Sequence, residues 1–273
     1  MDAEAGFLSA QSTEWVRTHR AKYSTLFEEC ESLNRDANAF LLGLKVGADN
    51  QLHITVSTLL GRCLEFYQAA VLMVEQGIVP ASRVILRALV EANFAIVAID
   101  RERDTLRHYI RNDDYWRVRI IEKIWKMSPP VTEVYKDIAT PEVRQDLLDA
   151  LKKEKVIQLT TFELAKRADM LDTFYGLYAS LTGPAHAHVR DMQVYLVMDP
   201  KGENLESLRI GPSDRDTADL LPIASLLLIQ AVGAAASVFG QDVAPLVQKH
   251  QTRVVELSQQ VGKNAAPSQR NLE

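Results

Sequence analysis

Between Tyr175 and Arg190 the chain reads Tyr-Gly-Leu-Tyr-Ala-Ser-Leu-Thr-Gly-Pro-Ala-His-Ala-His-Val-Arg. Tyr178, Ser180 and Thr182 lead into Gly183-Pro184, and His186, His188 and Arg190 follow at once, which gathers hydroxyls, two imidazoles and a guanidinium at one junction. Such a set can accept and donate protons near neutral pH and can hold an anion. His186-Ala187-His188 would offer two nitrogens to one metal only on a strand, where alternate residues share a face. Pro184 instead favours the opening of a helix, on which those residues diverge. With no carboxylate at ligand spacing beside them, neither a metal site nor a cofactor is expected. On such a helix His186 and Arg190 lie together and His188 points elsewhere. The dipole at the helix start would disfavour an imidazolium at His186 and leave a neutral ring able to take a proton. Two readings stay open for His186: a general base or ligand hydrogen-bonder, and an imidazole satisfied by a backbone carbonyl at the junction.

A second feature lies upstream. From Pro80 to about Ile99 the residues are apolar almost all round, which predicts a helix central to a bundle. Arg87 and Glu91 stand four apart in it, on one face. A charge in that company must find partners or carry a large desolvation penalty, so the pair is expected to engage one another and a polar cluster. A surface ion pair is the plainer alternative. Further on, Arg101 to Lys126 interleaves Arg and Lys with Tyr109, Tyr115, Trp116 and Trp125. That pattern could face phosphate, but acidic residues offset much of the charge, as on a solvated helix face.

The elements that must position these residues are helices. Apolar residues recur at three- and four-residue steps from Trp15 to Leu44, which predicts one long helix between Ser12/Thr13 and Gly47. A second spans about Gln51 to Glu75 and stops at Gly77. Thr161 is expected to cap the helix leading into the focal stretch, and Gly183-Pro184 to end it. Gln193 to Ile210 suggests one small hairpin with a turn at Asp199-Pro200-Lys201-Gly202. Leu220 to Gly240 carries no charge, close to a bilayer's length, yet its alanines and polar interruptions read as a buried central helix, with no membrane partner. The whole is read as an all-α helical bundle. Residues 1–261 form a single domain, residues 262–273 a flexible C-terminal tail, and one apolar helix face supports a homodimer.

With 273 residues, 47% of them hydrophobic, the chain can bury a substantial core. A net charge of −5 argues against non-specific coating of nucleic acid. Cys30 and Cys63 are the only cysteines and lack metal-ligand spacing, so both are expected as buried free thiols. The acidic first residues lack a signal-peptide pattern, and a cytoplasmic location is expected.

Leu86-Arg87-Ala88-Leu89-Val90-Glu91-Ala92, taken with Tyr178-Ala-Ser180-Leu-Thr182-Gly-Pro-Ala-His186, resembles an uncharacterised bacterial family of helical domains and, more distantly, the HEPN-like superfamily. That resemblance covers about Arg83 to Arg190. It implies a helical bundle acting as a dimeric, metal-independent ribonuclease of toxin or phage-defence type, in which an arginine precedes the motif histidine by four to six residues. His186 matches that histidine, and Arg87 with Glu91 the supporting helix. Ser180 stands where active relatives carry the arginine, and a serine cannot supply fixed positive charge to a phosphate. Arg103-Asp104-Thr105-Leu106-Arg107-His108 is a second, weaker match to the motif.

Three functions follow in order. In the first, His186 is the acid or base, Arg87 and Arg190 steady phosphate on RNA, and Glu91, Tyr178, Ser180, Thr182 and His188 orient the ligand. In the second, the same scaffold is catalytically silent and binds a nucleotide or other ligand. A small-molecule hydrolase comes third.

Overall fold

The structure, a computed structural model, describes residues 6–9, 12–185 and 188–264. In chain order its helices are α1 (Ser12–Lys22), α2 (Ser24–Gly43), α3 (Gln51–Glu75), α4 (Val79–Arg101), α5 (Thr105–Ile124), α6 (Pro129–Val134), α7 (Pro141–Lys153), α8 (Thr161–Arg167), α9 (Leu171–Thr173), α10 (Thr182–Ala185) and α11 (Val189–Met192). Strands β1 (Leu196–Met198) and β2 (Leu205–Leu208) follow, then α12 (Thr217–Phe239) and α13 (Ala244–Asn264). This is the expected all-α bundle with one small antiparallel hairpin among the described residues.

The core is α3, α4 and α12 packed on one another, with α2 and α13 closing over α12, and α8 and α10 lying on α4. Helix α4 earns its central place by side-chain type: Leu86, Leu89, Val90, Phe94, Ile96 and Ile99 are all essentially inaccessible. Its one buried amide, Asn93, donates to the Leu227 carbonyl at 2.6 Å and ties α4 to α12. Helix α12 is long and apolar enough to cross a membrane by length and composition, yet 67% of that stretch is buried inside the bundle. Its small residues, Ala231, Ala234 and Ala235, allow neighbouring helices to approach closely.

Polar side chains inside this core are few and most are paired, although the Asn93 side-chain oxygen has no hydrogen-bond partner among the described residues. Tyr67 on α3 donates to the Cys30 carbonyl of α2 at 3.0 Å and meets Ser225 of α12 at 3.4 Å. Both cysteines are buried free thiols, and burial pushes the Cys63 thiol up to about 12, out of the reactive range. His250 of α13, fully buried, is held by both ring nitrogens to Glu29 and Asp36 of α2.

Where local signals and the fold disagree, tertiary contacts decide. The long helix expected from Ser12 to Gly47 is two, broken at Tyr23, whose φ of −117° and ψ of 30° leave the helical region. The break lets His19 turn inward, where its ring meets the Glu75 carbonyl and the Thr217 hydroxyl. The cap of α8 is Thr160 rather than Thr161, its hydroxyl accepting from the Glu163 amide at 3.2 Å. Helix α13 runs on to Asn264, past the expected start of a tail at Gly262. Gly77 does end α3: its φ is +73°, and its carbonyl accepts from the Ser213 amide at 3.0 Å.

Candidate functional site

The candidate site forms where the run from α8 to α10 lies across α4. Helix α8 stops at Asp169, a left-handed residue with φ 57°. Helix α9 passes straight into a π-helical turn, Phe174–Tyr178, an unusual geometry common at functional joins. The turn stacks Tyr178 on Phe174, with ring centroids 5.2 Å apart and planes inclined by 20°, and sets both beside the buried Phe94 of α4. Tyr178 is thereby fixed with its hydroxyl over a polar patch of α4.

That patch is Arg87 and Glu91. Arg87 Nη2 donates to the Tyr178 hydroxyl at 2.7 Å, the hydroxyl donates to Glu91 Oε1 at 2.8 Å, and Arg87 Nε donates to the same carboxylate oxygen at 3.3 Å. The guanidinium carbon also sits 4.8 Å from the Tyr178 ring centroid, a cation–π contact. The arginine side chain is 20% exposed and the glutamate 44%, so the arrangement forms a rim open to solvent on the glutamate side. The expected engagement of this pair with a polar cluster is what the fold provides.

The other residues of the focal stretch fare differently. Ser180 Oγ is exposed and donates to the Leu177 carbonyl at 2.7 Å. Thr182 Oγ1 donates to the Tyr178 carbonyl at 3.1 Å. Both hydroxyl protons are used within their own helical turn, a habit of serine and threonine in helices that leaves only lone pairs to offer a ligand. Pro184 does not open a helix: it is the third residue of α10, Thr182–Ala185. His186 itself lies outside the described residues. His188 is exposed, and its carbonyl accepts from the Asp191 amide at 2.9 Å to begin α11. Arg190 falls within α11, with its side chain outside what is described.

Sequence reasoning passed over Asp191. Its carboxylate lies against Gly183 so closely that a Cβ there would stand 2.0 Å from Oδ2. Gly183 is thus a site of close approach joining α10 to α11. The only hint in the chain was a glycine beside proline, which also describes an ordinary turn.

In the weaker pair, Arg103 and His108 each have structural partners. Arg103 donates to Asp100 at 3.2 Å on the surface. His108 is buried, its Nδ1 accepting from the Ile157 amide at 3.1 Å, which places the proton on Nε2 for donation to Asp104 at 2.9 Å. Both ring nitrogens hold structure. A cleft of about 290 Å³ does exist elsewhere, lined by Tyr115, Trp116, Arg119 and Gln158, and it shares no residue with the site described here.

A helical bundle whose central helix offers an Arg–Glu pair to a tyrosine on the crossing segment is a helical domain with a charged rim site. The chain belongs to a family of unknown function, DUF5677, whose model matches residues 53–204. The match runs from α3 to the hairpin turn and so includes Arg87, Glu91 and Tyr178. No curated protein and no solved structure matches the chain significantly.

Proposed function

We propose that the α4–α10 junction is the site of a metal-independent ribonuclease on a HEPN-like scaffold. The observation that supports this reading is the clamped guanidinium. Arg87 is held by Tyr178 and Glu91 against the segment that leads in sequence to His186. In the proposed reaction His186 removes the proton of a ribose 2′-hydroxyl. The 2′-oxygen forms a bond to phosphorus, the bond to the 5′-oxygen breaks, and that oxygen leaves with a proton from the medium or from the imidazolium. The products are a 2′,3′-cyclic phosphate and a 5′-hydroxyl. Arg87 and Arg190 stabilise the charge gathering on the phosphoryl oxygens.

A second reading rests on two observations. Ser180 occupies the motif arginine's place with its proton given to Leu177, and Glu91 offsets part of the charge of Arg87. Both favour a silent module in which the rim holds the phosphate of a nucleotide.

Incubating the full chain with a mixed RNA pool in EDTA separates the two. Fragments ending in 2′,3′-cyclic phosphate, lost in both His186→Ala and Arg87→Met, are the result the ribonuclease reading requires. An intact pool removes it, and Arg87-dependent binding of a nucleoside monophosphate then becomes the result that the second reading must deliver.

A further inference from the structure

The cleft that shares no residue with the rim is built by α5. His108, Asn112 and Tyr115 follow one another along a single face of that helix and bind the connector 156–159 across it. His108 Nδ1 accepts from the Ile157 amide at 3.1 Å, and Tyr115 donates to the Val156 carbonyl at 2.9 Å. The Asn112 side chain donates to the Leu159 carbonyl at 3.1 Å and accepts from the Leu159 amide at 3.0 Å. These bonds set the walls of the cleft. The side chains of Trp116, Arg119, Gln158 and Thr161, which also line it, make no hydrogen bond, ion pair or ring contact among the described residues. Trp116 is 61% exposed, so a whole face of its indole is open beside an unengaged guanidinium. Such a pair stacks planar rings and holds their charge.

We propose that this cleft between α5 and the start of α8 is a second binding site, which takes one unpaired nucleoside phosphate with its base on Trp116 and its phosphate at Arg119. Three observations select that class. The volume of about 290 Å³ lies at the small end of the ~300–1,000 Å³ of ligand pockets, room for a single planar ring system. The lining holds one cation and no carboxylate, in a chain whose net charge is −5, so the cleft favours an anion locally. Gln158 and Thr161 add an amide and a hydroxyl, which can donate to and accept from a base edge or a ribose hydroxyl. The unit can arrive as a free mononucleotide or as one residue of single-stranded RNA. Lys123, exposed one turn beyond Arg119 on the same face, carries the positive charge onward from the cleft, and the nearby carboxylate of Glu122 is already engaged by Arg144. The site goes beyond the rim reading and stands whether the rim cleaves RNA, binds a nucleotide or does neither.

The test titrates the full-length chain carrying His186→Ala, in EDTA, with two probes: adenosine monophosphate followed by calorimetry, and a labelled single-stranded oligoribonucleotide followed by anisotropy. Adding Trp116→Ala should weaken binding by at least ~5-fold, and Trp116→Phe should keep most of it, because any base has a face to stack. Arg119→Gln should weaken binding as well and lower the salt slope of the oligomer by ~0.7, the share of one phosphate, a slope that Trp116→Ala leaves alone. Both side chains are exposed, so thermal melts of these variants should match the parent. The Trp116→Ala loss should persist with Arg87→Met added, which tells the cleft from the rim. Equal affinity for the two probes assigns the site to a free nucleotide, whereas tighter binding of the oligomer, weakened by Lys123→Gln, assigns it to a strand. Binding indifferent to Trp116 and Arg119, or no binding of either probe up to ~1 mM, overturns the inference.

Discussion

Replacing Tyr178 with phenylalanine removes a single oxygen and keeps the ring that Phe174 and Phe94 hold. That oxygen makes two bonds, one accepted from Arg87 at 2.7 Å and one donated to Glu91 at 2.8 Å. Hydrogen bonds to charged partners contribute about 1.5–3 kcal/mol each when sheltered. Glu91 is 44% exposed and can recover a water molecule, whereas Arg87, at 20%, recovers less. The loss should therefore come mainly from the arginine bond and total about 2 kcal/mol, towards the low end for two such bonds. For a chain of this size that lowers the melting temperature by about 4–6 °C. Tyr178→Ala, which also empties the ring's place, should cost about 4 kcal/mol. A thermal melt with a double-mutant cycle against Glu91→Gln measures both terms, and the cycle should return a coupling of about 1 kcal/mol. Melting of Tyr178→Phe within about 1 °C of wild type would refute the triad as a structural unit.

Three further outcomes follow from other parts of the fold. Gly77→Ala places a Cβ 2.5 Å from the Trp15 ring and 2.7 Å from the backbone nitrogen of Ser213, at a φ of +73°. The left-handed conformation alone costs ~1–2 kcal/mol, and with the clash the melt should fall by at least what ~3 kcal/mol removes. His19 donates from Nδ1 to the Glu75 carbonyl and accepts at Nε2 from Thr217, and burial lowers its pKa. The unfolded chain takes up that proton near pH ~6.5 while the folded one resists it. Stability from this group is thus intact above that pH and drains away as pH falls through the lowered folded value. Denaturant melts between pH 7.5 and 5 should show the slope, and His19→Gln should flatten it. His108→Ala strands the Ile157 amide and should cost about 2–3 kcal/mol in denaturant melts. Any RNA cleavage by that variant, assayed well below its melting temperature, should match wild type, and a loss there would restore the Arg103–His108 alternative.

The sequence made the bundle legible where one physical signal acted alone. Helix α4 reads as central because almost no polar residue interrupts it, and Arg87 with Glu91 stands out for the same reason. The run from Leu220 reads as buried for lack of charge, and α3 ends where Gly77 permits a left-handed turn. Legibility failed where two signals competed. Apolar periodicity runs unbroken through Tyr23, although His19 is the only buried residue of α1, and its partners Glu75 and Thr217 lie far away in sequence. Pro184 read as a helix start, yet it sits third in α10, where Thr182 already bonds back to Tyr178. The π turn and the Gly183–Asp191 contact leave no periodic trace, since each depends on a neighbour set by the fold.

Glu91 is the residue on which the functional alternatives turn. It helps to hold Arg87 in place, and by the same contact it reduces the positive field that a phosphate would meet. For stability alone the carboxylate gains little, because an ion pair this open to solvent contributes at most about 1 kcal/mol. The shared Tyr178 hydroxyl changes that balance: it can remain bonded to Arg87 while Glu91 swings towards the solvent that already reaches it. A phosphate arriving at the rim then meets an arginine still anchored by tyrosine and no longer neutralised, which both the catalytic and the binding readings require.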